Sequence, residues 1–299
     1  MSRRHIGMLL ALAAVWGSSF MFIKIAVRDI APSTAVLGRV AIGMLVLAVV
    51  APFRLPVRAG IAALRRHWLS LSLVGVVNTA LPIFLLFWAE TRIESGTAAV
   101  LQATAPLFAA LLAAMFVHAE RVGGLRLSGL MIGFGGVALL VGTMPGGSAL
   151  GGLAVVCTAL CYAAAALYTG RRLSDVPTLV VALGSLTVAT LVLLPAGVAQ
   201  LPDDVPGWKS IASVVVLGVV GTAFAYLLYY GLIAGAGASR AILITYLVPP
   251  MALAYGAIFL DEGLSGAALG GLALILGGVA LGTGAVGRPR SSPAGSLGE

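Results

Sequence analysis

The chain has 299 residues, 60% of them hydrophobic and 9% charged, with a net charge of +8 and a mean hydropathy of +1.09. Soluble domains carry about 25% charged residues, so composition excludes a water-soluble fold and makes lipid the solvent for most of the chain. The basic residues lie in short gaps between apolar runs, not in a patch interleaved with aromatics, which speaks for membrane topology and against nucleic acid as a partner.

Ten stretches meet the requirement of about 20 mainly apolar residues for a membrane helix. They are 6–27, 33–52, 68–89, 95–117, 124–142, 150–169, 177–199, 210–233, 238–259 and 266–286, and they predict an all-α integral membrane protein. The first follows "SRRH", is too long for a signal-peptide core and is closed by no A-x-A-like site, so it reads as a retained helix. It carries Trp16, Ser18 and Ser19. Interfacial Trp belongs at helix ends, so Trp16 near mid-helix is assigned with Ser19 to the wall of a central cavity; close helix packing is the competing role for the two serines.

The second stretch holds Arg39, some seven residues from its outer end, where it serves either a site or a snorkelling contact. The third holds Asn78, Pro82 and an aromatic stripe of Phe84, Phe87 and Trp88, and ends at Glu90; Glu90 and Lys24 are expected at the interface. The fourth holds Gln102 and Pro106, with His118 near its inner end and Glu120 beyond. Gly-rich runs in the fifth and tenth predict close-packed buttressing helices and leave a homodimer through them open. Cys157 and Cys161, four apart in the sixth, read as core filler, with Tyr162 beside them. The eighth carries Tyr226, Tyr229 and Tyr230; the ninth carries Thr245, Tyr246, Pro249 and Pro250. Residues 288–299 are rich in Pro, Ser and Gly and predict a disordered tail.

The chain repeats itself. "FGGVALLVG" (134–142) returns as "LGGVALGTG" (276–284), six of nine letters agreeing at an offset of 142, and "FLLFWA" (84–89) lies over "YLLYYG" (226–231) at the same offset. Two five-helix repeats follow, 1–144 and 145–287, with 288–299 as the tail. Five is odd, so the second repeat enters the membrane inverted, which is a habit of secondary transporters working by alternating access.

Lys/Arg placement orients the chain. With a cytoplasmic N-terminus, the cytoplasmic side holds Arg3, Arg4, Arg54, Arg58, Arg65, Arg66, Arg121, Arg126, Arg171, Arg172, Arg240, Arg288 and Arg290, and the outer side only Lys24, Arg28, Arg92 and Lys209. Both termini are therefore expected in the cytoplasm. Glu120 and Glu262 occupy matching places before a new helix and are expected to cap it.

"AAVWGSSFMFIKIAV", the Arg in "VLGRVAIGMLV" and "GTAAVLQATAPLFAALLAAMFVHAE" resemble the EamA family of the drug/metabolite transporter superfamily, over about residues 6–286. Within it the chain is most similar to bacterial aromatic and neutral amino-acid exporters. The resemblance implies a ten-helix carrier in a bacterial inner membrane. It weakens in the second half, where "CYAA" stands in place of a common Trp-containing motif.

Pro82, Pro106, Pro249 and Pro250 sit near mid-span, and a helix-interior Pro frees the carbonyl four residues earlier. Those residues are Asn78, Gln102, Thr245 and Tyr246, all polar. Freed backbone at this depth requires protein or a wet cavity. The expected substrate site is therefore Trp16, Ser19, Asn78, Gln102, Tyr162, Thr245 and Tyr246, with kinks relieved by neighbouring polar groups as the plainer account. Phe84, Trp88, Tyr226, Tyr229 and Tyr230 are expected to act as two gates, an aromatic belt at each interface being the alternative. The expected function is export of small metabolites, amino acids foremost, with a drug or lipid flippase on the same scaffold as the alternative. The expected partners are the substrate and membrane lipids. No cofactor or metal is expected: the three His, at 5, 67 and 118, join no carboxylate cluster, which also argues against a membrane-embedded enzyme.

Overall fold

The structure, a computed structural model, describes residues 2–116, 124–144, 146–237, 241 and 243–282. His118, Glu120, Arg121, Arg240 and the tail at 288–299 lie outside the described residues. Among the described residues all regular structure is helical. Eight helices are long and apolar enough to cross a membrane: α1 (Arg3–Ala26), α2 (Pro32–Phe53), α3 (Trp68–Glu90), α4 (Ser95–Phe116), α5 (Leu125–Gly142), α6 (Ser148–Arg172), α7 (Thr178–Ala199) and α8 (Trp208–Ala236). Two shorter apolar helices follow, α9 (Ile244–Phe259) and α10 (Gly266–Gly282).

Local chemistry explains the helices. In α7 the hydroxyls of Ser185, Thr187 and Thr190 donate to the carbonyls of Val181, Leu183 and Leu186, which satisfies them inside their own helix where lipid offers no partner. Trp68 and Trp208, the first residues of α3 and α8, are both exposed, as aromatic interface anchors are. A helix absent from the sequence reading, Val57–Arg66, fills the basic gap before α3. It is amphipathic: its arginines are exposed while Leu64 lies over Gly184 of α7.

Three interruptions punctuate the spans. α3 widens into a π turn at Gly75–Ala80, and α8 does the same at Val219–Phe224. α4 breaks between Gln102 and Ala105. Pro82 and Pro106 each sit at the second residue after such an interruption, where the missing N–H costs no bond. α9 is not broken at Pro249 and Pro250. It runs helical through both, and the turn lies earlier, at Leu243.

The most extensive packing partners are α1 with α8 and α9, α2 with α7 and α8, α3 with α6 and α7, α4 with α6 and α9, and α5 with α10. Exchanging each helix of the first five for its counterpart five later maps this set onto itself, while the lesser contacts of α4 with α1 and α10 lie outside it. The α5–α10 pair is the closest. A Cβ placed on Gly278 would fall 2.5 Å from Gly133 Cα, so only glycine permits this backbone approach.

Side-chain bonds join helix ends at each side of the bundle. At one side the Ser70 and Tyr168 hydroxyls pair at 3.0 Å and Arg171 donates to the Phe116 carbonyl at 3.2 Å. At the other, Thr34 donates to the Gly197 carbonyl at 2.8 Å and Ser210 to Asp29 at 2.7 Å. Arg58, Arg65, Arg66, Arg171 and Arg172 belong to the first side; Lys24, Arg28, Arg92 and Lys209 belong to the second. Cys157 is not core filler. It is exposed on α6, and both cysteines are free, because the buried face of that helix is taken by Val155, Thr158 and Ala159.

Candidate functional site

Arg39 does not snorkel. Seven residues inside the start of α2, it lies about 10 Å along the helix from that end. Its Nε donates across the bundle to Thr222 Oγ1 at 3.1 Å, and its guanidinium stands 6.0 Å from the centroid of the Phe87 ring. Thr222 lies in the π turn of α8, and its hydroxyl donates to the Leu217 carbonyl five residues earlier, at 2.9 Å. Phe87 is fully buried and gives the cation an aromatic floor. Tyr162 of α6, Tyr226 of α8 and the Glu90 carboxyl lie within electrostatic reach of the guanidinium.

An aromatic chain continues from this point. Tyr226 stacks on Tyr230 at 5.8 Å with an interplanar angle of 15°, Tyr230 meets Tyr229 at 6.0 Å, and Tyr229 meets Trp16 of α1 at 5.4 Å. Five helices, α1, α2, α3, α6 and α8, thus contribute to one polar and aromatic cluster. Ser19 sits beside it in a packing position. Its hydroxyl donates to the Val15 carbonyl at 3.0 Å, and it faces Gly221 of the π turn so closely that a Cβ there would come within 3.0 Å.

Asn78, Gln102, Thr245 and Tyr246 are half-buried. Among the described residues no hydrogen bond or ring contact joins them to the Arg39 cluster. The Gln102 side-chain oxygen and the Thr79 hydroxyl are sealed without a hydrogen-bond partner, so the interrupted parts of α3 and α4 do carry unsatisfied polar groups. Pro82 is buried and its carbonyl accepts from Thr158 of α6 at 3.1 Å. Pro249 is buried and Pro250 exposed, so only Pro249 faces the protein interior.

The two aromatic stripes do not behave alike. Tyr226, Tyr229 and Tyr230 all join the cluster just described. Phe84 packs against the main apolar core, while Trp88 lies under the exposed Arg92, 3.7 Å from guanidinium carbon to ring centroid. A Trp capped by an exposed Arg at a helix end has the surroundings of an interface anchor.

At the C-terminus of α3, Glu90 is fully buried instead of interfacial. Lys24 does not pair with its carboxylate: the ammonium donates to the backbone carbonyls of Glu90 and Ile93, at 2.7 and 2.8 Å, and so closes the C-terminus of α3. Neither Glu90 carboxyl oxygen has a hydrogen-bond partner among the described residues. Glu262 does not cap α10. Its carboxylate accepts from the Ser95 N–H and hydroxyl, both at 2.8 Å, and from the Gly96 N–H at 3.2 Å, so it caps α4 in the other half of the chain. Glu94, beside it, has its carboxyl pushed above the usual range by partial burial and by the Glu262 charge.

Thr222 and the π turns escaped the sequence reading, which looked for prolines. The signal is present all the same: "VVNTA" at 76–80 recurs as "VVGTA" at 219–223.

The model of the EamA-like transporter family matches residues 4–142 and 149–283. An uncharacterized transporter of Archaeoglobus fulgidus is 30% identical over 88% of this chain and 93% of its own length. A probable terminal-alkyne amino-acid exporter of Streptantibioticus cattleyicolor is 29% identical over 91% of each chain. The uncharacterized inner membrane transporter YedA of Escherichia coli is 27% identical over 88% of this chain and 83% of its own. A solved crystal structure at 21% identity shares the fold, with a TM-score of 0.67 over 96% of this chain and 100% of that one.

Proposed function

This chain belongs to the EamA-like transporter family, and from that premise we propose that it is a secondary carrier exporting small metabolites, amino acids foremost, by alternating access. The observation that carries the reading is the cluster of Arg39, Thr222, Tyr162, Tyr226, Tyr230 and Trp16. A cation and hydroxyls gathered far from the helix ends are expensive in lipid and mark a substrate path by default. The amino-acid exporter among the relatives supports the substrate class.

In this reading α9 and α10 also span. Their 16 and 17 residues reach about 25 Å, close to the hydrocarbon thickness. The ten spans form two inverted repeats, an arrangement supported by the exchange of packing partners and by π turns at like places in α3 and α8. The arginine-rich side faces the cytoplasm of a bacterial inner membrane, with both termini there. Asn78, Gln102, Thr245 and Tyr246 supply the opposite wall of the chamber, and the Tyr226, Tyr229 and Tyr230 stripe forms its inner gate.

Counterflow in proteoliposomes loaded with a panel of labelled amino acids tests the proposal. Saturable exchange of at least one amino acid is expected. Exchange of none, with flipping of labelled lipid instead, overturns it.

A further inference from the structure

We propose that Arg39 is the subsite for the substrate's carboxylate, with the Tyr162 and Tyr226 hydroxyls completing it. The inference rests on the amino-acid reading above and deepens it. The guanidinium presents five donors in a planar fork. Among the described residues it uses one, the Nε bond to Thr222, and no carboxylate lies in ion-pair contact with it. The Nε bond fixes the fork's rotation and leaves its outer edge, the two terminal nitrogens, for a ligand. That edge matches a carboxylate bidentately.

The surroundings select a monoanion. Among the described residues Arg39 is the one cation of the cluster; Lys24 is committed to two backbone carbonyls at the end of α3. One guanidinium edge pairs with one carboxylate and leaves a second negative charge without a partner. Beside the guanidinium, whose floor is Phe87, the half-buried and stacked Tyr226–Tyr230 pair presents apolar ring faces to the rest of the ligand. The class is therefore an amino acid with an aromatic or apolar side chain, held by its carboxylate at Arg39 and lying along the tyrosines.

Competition in the counterflow assay tests this with the full chain. Phenylalanine, its C-terminal amide and phenethylamine are offered against whichever labelled amino acid the wild type exchanges. The free acid is expected to compete at least about tenfold better than the amide or the amine. Arg39→Gln is expected to bring acid and amide within about twofold, and Arg39→Lys to keep part of the preference. A merely structural Arg39 would lower all three competitors together and leave the ratio unmoved. If Arg39→Gln does not fold, Tyr162→Phe and Tyr226→Phe remove only the hydroxyls and are expected to reduce the ratio at least about threefold. Equal competition by acid and amide in the wild type, or an unchanged ratio in the variants, overturns the inference while leaving amino-acid export standing. Absence of amino-acid exchange in the wild type overturns both, and is seen before any variant is made.

Discussion

Glu262 and Ser95 bind each other across the two halves of the chain. One carboxylate takes both the N–H and the hydroxyl of Ser95, each at 2.8 Å, with Gly96 added at 3.2 Å. An anion at a helix N-terminus answers both the unpaired N–H groups and the helix dipole. Glu262→Ala removes all three bonds and is expected to cost about 2 kcal/mol, given the usual range for caps and charged hydrogen bonds. Thermal unfolding in detergent checks this, and an unchanged midpoint contradicts it. Glu262→Gln, which keeps an acceptor, should lose less.

The α5–α10 seam offers a paired test one residue apart. A Cβ on Gly278 meets the Gly133 backbone, whereas around Gly277 there is open space within 4 Å. Gly278→Ala therefore forces two backbones apart and is expected to cost about 1–3 kcal/mol, as overpacking does. Gly277→Ala is expected to be neutral or slightly stabilising, since Ala favours the helix by up to about 1 kcal/mol. Equal effects of the two substitutions would contradict the packing described here.

Glu94 gives the turn between α3 and α4 a pH dependence. Its folded carboxyl titrates above the usual range because burial and the Glu262 charge disfavour its ionisation. The folded state then holds more proton than the unfolded state between the ordinary glutamate value and the raised one. Stability falls as pH rises through that window and is flat below it. Midpoints of unfolding measured from acid to neutral pH should show this fall in the wild type and a flatter course in Glu94→Gln. Parallel curves for the two proteins would remove Glu94 as the cause.

The spans are legible in the sequence because lipid demands long apolar runs, and the paired glycines because the same letters recur. What escapes reading is long-range. Glu262 has the composition of a cap for α10, yet its partner is Ser95, 167 positions away. The basic gap before α3 hides a helix, because Arg58, Arg65 and Arg66 mask the apolar face carrying Leu64. Pro82 and Pro106 stand just after the irregular parts of α3 and α4. No proline follows the π turn of α8, where the Thr222 hydroxyl donates to the Leu217 carbonyl. Arg39 is visible as a cation in an apolar run, but its choice of Thr222 over the surface depends on a packing that no local pattern encodes.

Lys24 and Glu90 provide the last test, because they look like an ion pair and are not one. The ammonium serves two backbone carbonyls, and the carboxyl has no hydrogen-bond partner among the described residues. Removing a buried group that makes no bond relieves its desolvation, whereas removing one that closes a helix end leaves orphan carbonyls. Glu90→Gln is therefore expected to leave the unfolding midpoint unchanged or to raise it. Lys24→Met, of similar length, is expected to lower it by the equivalent of about 1–3 kcal/mol, the cost of buried acceptors left unpaired. The double variant should behave as the sum of the two. A true ion pair would instead make both single variants destabilising and the double variant milder than their sum. That pattern would show that the carboxylate and the ammonium depend on each other, and the separate roles assigned to them here would fall.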